Sequence, residues 1–91
     1  MSGAASEHAM RFDLVLAGLR LLKSRSQASL AIHDGSALLN GARVKASHAV
    51  RPGDRIMLVM PQGSRTLEVL ALPSRSLSKE AAQALVREVA G

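Results

Sequence analysis

A chain of 91 residues with a formal net charge of +5 and no cysteine is the size of one domain, since single cores commonly take about 100–200 residues. Without thiols it has no disulfide staple and no thiolate metal site, and a core this small leaves little room for an enclosed active site. No window approaches the roughly 18 apolar residues that cross a bilayer, so the expectation is a soluble, cytoplasmic protein with no membrane partner.

Residues 1–10, "MSGAASEHAM", read as a disordered arm, and residues 11–91 as a single domain. "RFDLVLAGLRLLKS" (11–24) reads as a first helix with Asp13 as its N-cap, apolar from Leu14 to Leu22 except at Arg20. "SRSQASLAIHDG" (24–35) reads as a second helix. Ser24 and Gln27 have capping-box spacing, Gly35 suits a left-handed C-terminal position, and Ala28, Ala31 and Ile32 form a narrow apolar face. "SALLNGARV" (36–44) reads as two short extended pieces around an Asn-Gly turn, the strongest local hairpin signal. "RPGD" (51–54) is a second turn, and "RIMLVM" (55–60) and "RTLEVLAL" (65–72) are strands joined by "PQGS". "SLSKEAAQALVREVAG" (76–91) reads as a C-terminal helix capped by Ser78, with Ala81, Ala82, Leu85, Val86 and Val89 on one face. The expected class is therefore α+β: two N-terminal helices packed on a small antiparallel sheet of short hairpins, with a C-terminal helix.

The charge is not spread evenly. Residues 11–55 carry Arg11, Arg20, Lys23, Arg25, Arg43, Lys45, Arg51 and Arg55 against only Asp13, Asp34 and Asp54. Lys23 and Arg25 stand at the start of the second helix, where exposed N–H groups and the helix dipole already favour an anion. The Asn40-Gly41 turn returns the chain, so Arg43 and Lys45 are expected beside that helix. One helix and one hairpin then share a positive face, and such a face fits a nucleic-acid backbone.

The pattern over residues 11–56 also resembles a known family. Arg11-Phe12-Asp13, Ser24-Arg25, Ala28, Ile32, Gly35, Asn40-Gly41, Lys45, Ser47 and Gly53-Asp54-Arg55-Ile56 match, without a gap, the RNA-binding domain of the ribosomal protein S4 type, the α-L motif. The chain departs from that pattern at Ala37 and Leu39, where Val is usual, and at Ala46, where Pro is common. "RLLKSRSQA" and "RSLSKEAAQAL" resemble the ribosome-associated heat-shock protein 15 group and its relatives in ribosome quality control. The resemblance implies binding to structured rRNA and tRNA and to the large ribosomal subunit, in stalled-ribosome or heat-stress rescue. The RNA-binding residues it and the charge pattern together nominate are Arg11, Lys23, Arg25, Ser26, Asn40, Arg43, Lys45, Ser47 and His48.

Arg25 is the leading contact among these, and Arg11 has an acidic neighbour as its competing partner. Asn40 is chiefly a turn residue that places Arg43. His8, His33 and His48 have no metal-ligand arrangement, and no phosphate loop, nucleophile elbow or carboxylate pair is present. No catalytic residue, cofactor, metal or small-molecule substrate is expected. One Phe and no Tyr or Trp leave few stacking platforms, so backbone charge and RNA shape should dominate recognition. The alternative is a protein-interaction or self-associating module acting through the apolar first helix, with RNA binding secondary.

Overall fold

In the computed structural model, which describes residues 9–73 and 78–89, the first apolar run folds inward as a short helix. A two-residue strand β1 (Met10–Arg11) leads into helix α1 (Phe12–Gly18), followed by α2 (Arg25–His33). Strands β2 (Ala37–Leu39), β3 (Ala49–Val50), β4 (Arg55–Met60) and β5 (Gly63–Val69) follow, then a one-turn helix α3 (Lys79–Gln83) and strand β6 (Val86–Val89). β1 pairs antiparallel with β3, and the other four strands form an antiparallel sheet in the order β2-β4-β5-β6.

Phe12, Val15, Leu16 and Leu19 are buried against Ala28 and Ile32 of α2, Val50 of β3, and Ile56, Leu58, Leu67 and Val69 of the sheet. β4 buries Ile56 and Leu58 while Val59 faces solvent, the period-2 alternation expected of a half-buried strand. The apolar first helix is thus covered by its own domain; only Leu14, 38% exposed, looks outward among its large side chains.

The first helix is shorter than the sequence suggested. Leu21 N–H donates to the Leu16 carbonyl and Arg20 N–H to that of Ala17, with Arg20 left-handed at φ 60°. This is a Schellman stop with arginine where glycine is usual. α2 ends the same way, with Ser36 N–H on the Ala31 carbonyl and Gly35 at φ 85°, as the sequence led one to expect. At its other end the Ser24 side chain accepts from Gln27 N–H at 3.2 Å.

The C-terminal segment departs further. Ser78 does cap a helix, its hydroxyl accepting from Ala81 N–H, but the helix lasts one turn and Val86–Val89 is a strand. β6 satisfies the outer edge of β5 and sets Arg87 opposite Glu68, with which it forms an ion pair, while Arg65 pairs with Glu88 at 3.2 Å. Edge pairing and cross-strand charge pairs outweigh the helical spacing of the alanines. At the other terminus, residues 1–8 of the expected arm lie outside the described residues, and Met10 pairs with Val50 in β1.

Candidate nucleic-acid interface

The start of α1 organises the basic face. Helix N-termini leave their first N–H groups without helical partners. Here Phe12 N–H donates to the His48 carbonyl at 2.9 Å and Asp13 N–H to the Ala46 carbonyl at 3.1 Å. The loop carrying Lys45, Ser47 and His48 is therefore bonded to the helix that follows Arg11. His48 N–H in turn closes a turn on the Lys45 carbonyl at 3.0 Å.

Asp13 is not the N-cap; that position is Arg11, which makes no side-chain cap bond. Asp13 lies inside the first turn, buried, and its carboxylate gathers partners from both helices. Arg11 approaches it with two nitrogens, each at 3.1 Å, and Arg25 donates through Nε at 3.2 Å. Leu14 N–H donates to it at 2.7 Å and the Ser29 hydroxyl lies at 3.5 Å. Burial pushes the carboxyl pKa up, but the bonds from Arg11, Arg25 and Leu14 together outweigh it and hold the group below its ordinary value. Both arginine side chains remain about half exposed, 45% for Arg11 and 54% for Arg25. One buried negative charge thus fixes two half-exposed positive ones, which leaves a net positive patch.

The Asn40-Gly41 turn forms as the sequence demands, with φ of 52° and 81°. Its outgoing arm makes only the single Leu39–Ala42 bridge and then runs beside α2 instead of extending a ladder. The Asn40 side chain is spent within the protein: its amide donates to Asp54 at 3.2 Å and its oxygen accepts from Arg55 N–H at 2.9 Å. Its part in the face is to hold the turn. Arg43 folds back over Gly35 and donates to the His33 carbonyl at the end of α2. Between α2 and residues 43–46 runs a groove of about 400 Å³. Buried Ile32 and half-buried Val44 and Ala46 form its floor, and exposed His33, Arg43 and Lys45 its rim.

The nominated residues therefore fall as follows. Arg11, Arg25, Lys45 and His48 are tied together through Asp13 and the loop carbonyls, and Arg43 borders the same loop and helix. Lys23 and Ser26 are exposed at the start of α2, and Ser47 is exposed in the loop. Sequence reasoning missed the Asp13 hub and the groove. The Arg-x-Asp spacing carried a signal for the first; the floor needs three dimensions to be seen.

Two packed helices, a small antiparallel sheet and a positive helix-and-loop face define a compact α+β domain of the polyanion-facing kind. The profile of the S4 domain family matches residues 10–56. The chain belongs to the S4 domain family, whose RNA-binding members its motifs resemble. It is 36% identical over 73 residues to the RQC P-site tRNA stabilizing factor of Bacillus subtilis, covering 80% of this chain and 85% of that one. It is 32% identical, again over 73 residues, to an uncharacterized RNA pseudouridine synthase of the same organism. That match covers 80% of this chain but only 24% of the relative, so the shared part is an S4-sized fraction of a longer protein. Among solved structures, the trimeric heat-shock protein 15 of Vibrio cholerae superposes with a TM-score of 0.83 at 30% identity, over 90% of this chain and 83% of that one.

Proposed function

We propose that this chain is a non-catalytic protein that binds structured rRNA or tRNA and associates with the large ribosomal subunit when translation has stalled. The observation that carries the reading is the gathering of Arg11, Arg25, Arg43 and Lys45 around one helix and one loop, with a single buried carboxylate among them. Half-exposed arginine side chains held in place lose little freedom on meeting phosphate, and the guanidinium nitrogens not turned to Asp13 can donate to it. The near full-length match to a P-site tRNA stabilizing factor supports tRNA on the ribosome as the target. No helix among the described residues is long and apolar enough to cross a membrane.

The test is sucrose-gradient fractionation of the tagged protein at low salt, followed by RNA crosslinking. Co-sedimentation with the large subunit, and crosslinks that fall on rRNA or tRNA, are expected. A profile without ribosomal signal would reduce the reading to generic RNA binding. Action through an apolar first helix has less support, because Phe12, Val15, Leu16 and Leu19 are all buried.

A further inference from the structure

We propose that the groove between α2 and residues 43–46 holds one unpaired nucleotide of the bound RNA. The inference rests on the RNA-binding reading and goes beyond it, because a surface that met only duplex phosphates would need charge and no cavity. This surface has both. The groove's volume of about 400 Å³ lies within the range of small-ligand pockets, about 300–1,000 Å³. Its floor is apolar, made by Ile32, Val44 and Ala46, while Arg43 and Lys45 stand at its edge. An aliphatic floor under a cationic rim complements a nucleotide: the base lies on the floor and its phosphate meets the rim.

Arg43 supplies the second argument. Unstacked bases settle on aromatic rings or on guanidinium planes. The one aromatic residue, Phe12, is fully buried and cannot serve. The Arg43 guanidinium is anchored by the His33 carbonyl and lies over Gly35. A Cβ at Gly35 would be in ordinary contact with Arg43 Nε at 3.6 Å, so it is the left-handed backbone that calls for glycine there. The chain thus presents an anchored planar cation, with the exposed His33 beside it, at a groove that has no Phe, Tyr or Trp.

Three RNA hairpins of equal length test this: one fully paired, one with a single bulged nucleotide, and one with an abasic site at the bulge. Binding to the whole protein is measured across a salt series. The bulged hairpin should bind about fivefold tighter than the paired one, a modest stacking gain, and the abasic form should lose that gain. Ala46→Leu, which adds bulk to the floor and leaves the Ala46 carbonyl bond to Asp13 N–H in place, should abolish the preference for the bulge, with an unchanged melting temperature showing that the fold is kept. Equal, salt-dependent affinity for all three hairpins would overturn the nucleotide site and leave the RNA-binding reading standing. No salt-dependent binding of any hairpin would overturn both.

Discussion

Asp13 Oδ2 lies 3.2 Å from Arg25 Nε, although twelve residues separate them in the chain. The pair joins the first turns of two helices, and Arg11 closes on the same carboxylate from the preceding strand. Its dependence on pH has a definite sign. The carboxyl pKa is lowered in the folded protein, so the contribution is fully present above the unfolded value, about 3.9. It is lost as pH falls through the lower folded value. Denaturant midpoints should drop as pH falls below about 4, and Asp13→Asn should flatten that drop. At neutral pH Asp13→Asn should cost about 1–3 kcal/mol, discounted for the exposure of both arginines.

Arg25→Ala combined with Arg43→Ala should weaken RNA binding across sequences. Neutralising about four to six phosphates gives a log–log salt slope of roughly −3 to −5, and losing two contacts should flatten it by about 2. Filter binding over a salt series reads both. Wild-type affinity and slope in the double variant would place the interface elsewhere.

Arg20 sits left-handed at φ 60° in a position that usually takes glycine. Arg20→Gly and Arg20→Ala both remove the side chain, but only glycine relieves the strain, so the glycine variant should be more stable than the alanine variant by about 1 kcal/mol. Thermal melts of the two variants check it, and equal melting temperatures would mean that the left-handed backbone costs nothing there.

Gly18 is constrained by contact instead of by conformation. A Cβ there would stand 2.7 Å from Cγ of buried Pro73. Gly18→Ala should therefore destabilise the fold by about 1–3 kcal/mol, even though alanine is the better helix former. A stabilised variant would show that residues 71–73 can shift at little cost.

Much of this architecture was legible in advance, for local reasons. Gly35, Asn40-Gly41 and the Ser24 and Ser78 caps each specify one backbone geometry, and each appears where the sequence set it. Arg20 makes the same helix stop as Gly35 without the residue that signals it, so α1 read too long. "VREV" carried helical spacing, but its fate depends on the open edge of β5, which no local pattern reveals. The cations of the candidate face were readable because charge and turn chemistry are local. Asp13 as an anchor was readable for Arg11 but not for Arg25, since its burial comes from α2 and the 46–48 loop folding over it.

The amide of Phe12 is bonded to the His48 carbonyl at 2.9 Å, so it cannot meet solvent until the 45–48 segment swings away. Hydrogen–deuterium exchange at that single position therefore times the opening of the cationic loop from within the core. A bound polyanion clamping the loop should slow it, giving an internal clock for occupancy that needs no label on either molecule.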